Sequence, residues 1–144
     1  MPVDFRIIPD RGLVLVWYSG HVTIDETVAA SAAYVARPDY CAGQKQIVDL
    51  THIESFEHDY VRFMNVQAAK VERLAGSGVE SLCVYVAPTR ISQAVSAMFV
   101  RSWEKISPVV PLVQHSEADA LALMGQPEKS IDALMAHVDE KTLQ

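Results

Sequence analysis

The chain has 144 residues, half of them apolar and 21% charged, a balance that supports a buried core and excludes disordered and collagen-like classes. At that length residues 1–144 are expected to form a single domain. Lys and Arg number 12 against 18 for Asp and Glu, a formal charge of −6; such a surface repels phosphate backbones and anionic lipid, so nucleic acid is not an expected partner.

Val3 to Pro9 and Leu13 to Gly20 alternate as strands, and Asp10-Arg11-Gly12 between them suits a tight antiparallel hairpin. Thr23 followed by Glu26 forms a capping box that opens a helix reaching about Arg37, ahead of Pro38. Its expected buried stripe is Ile24, Val28, Ala32 and Val35. Gln46 to Leu50 reads as a third strand. His58 to Ala75 reads as a second helix with Val61, Met64, Ala68, Val71 and Ala75 along one face, closed by the turn Gly76-Ser77-Gly78. The unbroken apolar run in Ser81 to Ala87 suits an interior parallel strand covered on both faces. Thr89 caps a third helix to about Ile106, Val109 to Val113 is a fifth strand, and Ser116 opens a short helix closed by Gly125. A last helix over about 127–144 has an apolar stripe at Ile131, Leu134, Met135 and Val138. Strands and helices alternate after the hairpin, which predicts an α/β protein with a mixed, mainly parallel five-stranded sheet and helices packed on it.

The N-terminus Met1-Pro2-Val3-Asp4 lacks a basic leader, and the longest apolar run, Leu13 to Tyr18, is too short to cross a bilayer. A cytoplasmic protein with no membrane span is expected. Cys41 and Cys83 are the only cysteines, lack Cys-x-x-Cys spacing and read as reduced thiols.

Polar residues concentrate between the third strand and the second helix: Asp49, Thr51, His52, Glu54, Ser55, Glu57, His58 and Asp59. In open α/β folds the carboxyl ends of parallel strands are where ligands and partners dock. Thr51, His52, Glu57, His58 and Asp59 are therefore candidates for a partner-binding loop, set against plain helix capping by Ser55 or Glu57. A metal set of His52, Glu57 and His58 is disfavoured, because adjacent ligands diverge on a helix. An acid–base pair of His52 or His58 with Glu57 stays open as an enzymatic alternative, but no nucleophile motif accompanies it. There is no Gly-x-Ser-x-Gly elbow, no Walker loop and no Gly-x-Gly-x-x-Gly. No catalytic residue, metal or cofactor is expected.

The third helix carries more apolar surface than one contact needs. Ile91, Ala94, Val95, Met98 and Ser102 can face the sheet, while Phe99, Trp103 and Ile106 form a second line, flanked by Arg90 and Arg101. That line is either buried beneath the last helix, used for self-association, or part of a pocket for an apolar ligand.

The order of elements, with Ile47-Val48-Asp49-Leu50-Thr51-x-Ile53 ahead of a helix, resembles STAS and SpoIIAA-like domains over about residues 3–125. Gly20-His21-Val22-Thr23 at the first helix, Asp49-Leu50 in the third strand and the helix from Glu117 to Leu121 are similar to an uncharacterised bacterial subgroup of that superfamily. The resemblance implies a SpoIIAA-like fold and a non-enzymatic regulatory or protein-interaction role. Antagonists of this type place an Asp-Ser-Ser-Gly at the corresponding helix start, with a phosphorylated serine. Here Glu57, His58, Asp59 and Tyr60 stand there, so the acceptor hydroxyl is missing, with Thr51 and Ser55 nearby. The expected function is a homodimeric interaction module that pairs through the third helix and offers the polar loop to a protein partner. The alternatives are a binder of a small apolar or lipid-like ligand between the second and third helices, and the His–carboxylate enzyme.

Overall fold

A computed structural model describes residues 2–75, 79–103 and 108–143. Ile106 and Gly76 to Gly78 lie outside these, as do the side chains of Val71 and Ala75. Strand β1 (Val3–Ile8) pairs antiparallel with β2 (Leu13–Val22) across a short 3-10 turn at Pro9–Arg11, in the expected hairpin. Gly12 closes that turn at φ 59°, a left-handed conformation that glycine adopts without steric cost. Helix α1 (Ile24–Val35), β3 (Lys45–Phe56), α2 (Tyr60–Ala75), β4 (Ser81–Val86), α3 (Arg90–Ser102), β5 (Val109–Gln114), α4 (Glu117–Leu123) and α5 (Ile131–Leu143) follow. The sheet order is β1-β2-β3-β4-β5, antiparallel at the first pair and parallel in the rest. This is the mixed α/β sheet the sequence predicts.

Each crossover from β2 to β5 advances one strand in the same direction. Successive right-handed crossovers of that kind put their helices on one face. Accordingly Ile24, Phe63, Val95 and Phe99 from α1, α2 and α3 share a core with Tyr18, Val48 and Tyr85. Leu121 and Leu134 from α4 and α5 pack on the other face against Leu15, Ile47 and Val84. Alternate residues of each strand feed the two cores, as the period of a strand requires. The Ile131, Leu134, Met135 and Val138 stripe of α5 packs as expected, but on the face opposite α3, so α5 does not cover α3.

The helix ends follow the caps read from the sequence. Thr23 Oγ1 accepts from the Glu26 amide at 3.2 Å while a Glu26 carboxylate oxygen accepts from the Thr23 amide at 2.9 Å. Thr89 and Ser92 cap α3 in the same reciprocal way, and Ser116 caps α4.

Three expectations are corrected. First, β3 does not stop at Leu50 but runs to Phe56, so Thr51 and His52 lie in a strand and not in a loop. Beyond Asp49 it pairs with β2 alone, and the register slips twice, between Trp17 and Ser19 and between Gly20 and His21. Each slip inserts an extra β3 residue and bends the strand. Leu50, Ile53 and Phe56 therefore all face the α1–α3 core although they are spaced by three. Second, the inward faces of α1 and α2 differ from the expected ones. Ile24 is buried as expected, but with Thr27, Ala30, Ser31 and Tyr34 turned inward, while Val28 and Ala32 are exposed. On α2 the inward residues are Phe63, Val66 and Gln67, and Val61, Met64 and Ala68 are exposed. Third, α3 buries Ser92, Val95, Ser96 and Phe99, leaving Ile91 and Ala94 exposed. Ser92 and Ser96 fit inside because their hydroxyls donate back to the Thr89 and Gln93 carbonyls.

Candidate ligand cavity

The inward face of α1 is built from small side chains, and space is left beneath it. Thr27, Ala30, Ser31 and Tyr34 recur at helical spacing along this face. Opposite them stand Val16 and Tyr18 of β2, Val48 of β3, and Val3 and Phe5 of β1. The result is a cavity of about 330 Å³, at the lower end of the range for small-molecule sites. The segment from Tyr40 to Gln44 frames one side, and Gln67 and Lys70 of α2 with Phe99 of α3 and Trp103 just past its end frame the other.

Aromatic rings stiffen the inner wall. Phe99 is 4% exposed and sits edge-on to Tyr18, Phe56 and Phe63 at centroid distances of 5.9, 5.8 and 5.2 Å, and stacked on Tyr85 at 5.3 Å. Trp103 Nε1 donates to the Tyr85 hydroxyl at 3.0 Å. Of the surplus apolar line expected on α3, Phe99 is core and Trp103 is half-buried, both line the cavity, and Ile106 lies outside the described residues. Phe99 is thus not on the surface, and it shares the cavity wall with Trp103. The cavity lies nearer α1 and the segment before β3, which contribute more of its wall than the gap between α2 and α3.

Several polar groups of the wall are satisfied internally. The Tyr34 hydroxyl donates to Gln44 Oε1 at 2.6 Å, and Gln44 Nε2 donates to the Asp39 carbonyl at 3.2 Å. Burial pushes the Tyr34 phenol well above its ordinary value, with Tyr40 and Cys41 adding to the rise. Cys83, beneath the sheet side, is pushed up to about 12 by burial, so its thiol stays protonated and unreactive at neutral pH. Cys41 is exposed and belongs to the rim.

The polar stretch after Asp49 is divided among separate tasks. Asp49 Oδ1 accepts from the Thr51 amide and hydroxyl. Glu57 Oε1 accepts from the Ile24 amide at 3.1 Å, at the start of α1, and Glu57 pairs with Arg62 at 3.6 Å. Asp59 accepts from the Arg62 amide at 3.1 Å, and Arg62 also pairs with Asp25, tying α2 to α1. His58 is exposed, edge-on to Tyr60. His52 points to the other side of the molecule, into a shallow cleft of about 280 Å³ with Trp17, Asp49, Ile131, Asp132 and Met135. Among the described residues neither histidine hydrogen-bonds to Glu57, and no three His, Cys, Asp or Glu side chains converge as metal ligands. A contact missed in the sequence is His21 Nδ1 with Ser55 Oγ at 2.6 Å, exposed across β2 and β3; neither residue lines either cavity. No signal short of the strand register could have paired them.

A crystal structure of an uncharacterized protein of the DUF3478 family from Shewanella loihica PV-4, described as having a SpoIIAA-like fold, superposes with a TM-score of 0.51. The match covers 85% of this chain and 91% of that one, at 9% identity. The fold is SpoIIAA-like. At this identity the SpoIIAA-like likeness extends to architecture alone. No protein-family model and no curated protein matches the chain. Among the described residues of this SpoIIAA-like fold, no helix is long and apolar enough to cross a membrane.

Proposed function

We propose that this chain binds a small, mostly apolar molecule in the cavity beneath α1. The observation that carries the reading is a partly open recess of about 330 Å³ reaching from the Tyr40–Gln44 rim to the core around Phe99, lined mainly by rings and aliphatic side chains. Interiors normally pack to the density of organic crystals, so a recess this size under one helix gives up packing, a cost that an apolar occupant would offset. The cost is written into α1, where Thr27, Ala30 and Ser31 occupy positions that larger apolar residues would fill. Filling the space tests the reading. N-phenyl-1-naphthylamine is expected to bind one per chain with a saturable rise in fluorescence. Ala30→Leu should abolish that signal while leaving the melting temperature equal or a few degrees higher, as cavity filling does. Unsaturable binding, or binding indifferent to Ala30→Leu, removes the proposal.

A second reading, a surface for a protein partner or a second copy, is favoured by a different observation. Tyr60, Val61 and Met64 at the start of α2 are 57%, 73% and 40% exposed, next to His58 and Asp59 of the polar stretch. Exposed apolar residues in a cluster of this kind mark interaction surfaces. On this reading the start of α2 supplies exposed apolar surface for self-association, as does the α3 residue Ile91, which is 39% exposed. Sedimentation showing a monomer at tens of micromolar rules out the second copy.

A further inference from the structure

One of the residues bordering the cavity, Gln67, carries a buried polar atom without a partner, and its chemistry narrows what the cavity takes. Gln67 lies on the inward face of α2, is 1% exposed and forms part of the wall. Its Nε2 donates to Ser102 Oγ at 3.0 Å. Ser102 Oγ in turn donates its own proton to the Phe99 carbonyl at 2.6 Å, so toward Gln67 it can only accept. That relay fixes the orientation of the amide, since a flipped Gln67 would set two acceptors against each other. Gln67 Oε1 is consequently the oxygen left over, and among the described residues it is the one buried side-chain nitrogen or oxygen with no hydrogen-bond partner. A buried carbonyl in that condition costs what a lost hydrogen bond costs, and native proteins rarely retain one without a reason.

We infer that the molecule held in the cavity carries a hydroxyl or N–H group that donates to Gln67 Oε1, and is an aromatic alcohol or amine of the naphthol or indole kind. The donor is required by the orphan acceptor. The aromatic body is matched by the faces of Tyr18, Phe99 and Trp103, which border the same space as Gln67. The inference rests on the cavity being a binding site, and it adds the polar rule by which that site chooses. A ligand without a donor would desolvate the Gln67 carbonyl further and leave it unpaired, whereas a donor converts the same atom into an anchor.

The test uses the whole chain and two probes of nearly equal shape, 2-naphthol and 2-methoxynaphthalene, which differ in one hydroxyl proton. Titration calorimetry, or quenching of tryptophan fluorescence, should give an affinity about tenfold higher for 2-naphthol, the discrimination one good hydrogen bond supplies. In Gln67→Met the preference should fall below about twofold, with 2-methoxynaphthalene bound as well as by the unaltered chain or better. Equal binding of the two probes by the unaltered chain overturns the donor rule and leaves the cavity reading standing. If neither probe binds, the cavity reading fails and the donor rule fails with it. The comparison on the unaltered chain decides the matter even where Gln67→Met does not fold.

Discussion

Glu128 shows how a single side chain holds two ends of the chain together. It is 6% exposed, and its carboxylate accepts from Arg11 Nη1 at 2.6 Å and Nη2 at 3.0 Å, in the forked geometry that suits a guanidinium. His137 Nδ1 on α5 contacts the same carboxylate at 2.7 Å, and Arg11 also donates to Gln126 at 2.9 Å. The hairpin turn is thereby pinned to the segment that leads into α5. Arg11, and after it His137, hold the Glu128 carboxyl at about 2, against an ordinary value of 4.5, with burial opposing them. Because the folded value is the lower one, the contribution is fully present above about pH 4.5 and is lost as the pH falls toward 2. Glu128→Gln should cost about 2 kcal/mol at pH 7. The gap between variant and parent in urea midpoints should close between pH 4.5 and pH 2. A gap independent of pH would show that the carboxylate's charge is not what stabilises the contact. None of this was legible in advance, because Arg11 and Glu128 are far apart in sequence and no spacing rule joins them.

At the scale of the element, β3 marks where pattern reading succeeds and where it stops. The alternation through Ile47, Val48 and Leu50 announces a strand, and the capping residues Thr23, Thr89 and Ser116 announce where helices start. The second half of β3 is hidden by its two slips, since Leu50, Ile53 and Phe56 follow a spacing of three that fits no strand template. Gly20 sits in β2 at the second slip with φ 65°, and a side chain there would meet open space, so the penalty for replacing it is purely conformational. Gly20→Ala is expected to lower stability by about 1–2 kcal/mol, read from urea unfolding. An unchanged midpoint would mean that the bend does not depend on the left-handed residue. The inward helix faces elude pattern reading for a related reason. On α1 the eye follows Val28 and Val35, yet the residues that turn inward, Thr27, Ala30 and Ser31, are small or polar and give little hydrophobic contrast. On α2, Phe63 and Val66 compete with Val61, Met64 and Ala68 at the same helical spacing, and only the sheet decides between them. The candidate site was therefore half visible: Phe99 and Trp103 stood out as surplus apolar residues, while Gln67 and the inward face of α1 carried no motif.

For the whole molecule, three same-direction crossovers put the cavity and the exposed apolar start of α2 on one side of the sheet, and α4 and α5 on the other. The two proposed activities can then be separated. Val61 is 73% exposed and is not part of the cavity wall, so Val61→Glu should leave naphthylamine binding unchanged while converting any oligomer seen by light scattering to a monomer. Loss of dye binding in that variant would show that the cavity is completed by a second copy.

The short side chains along the underside of α1 have a last implication. Three residues on one helix set the depth of the chamber, and the pleated frame beneath them is finished without their help. Capacity can then be graded one carbon at a time from α1, so that a larger or smaller guest is admitted while the load-carrying sheet stays as it is.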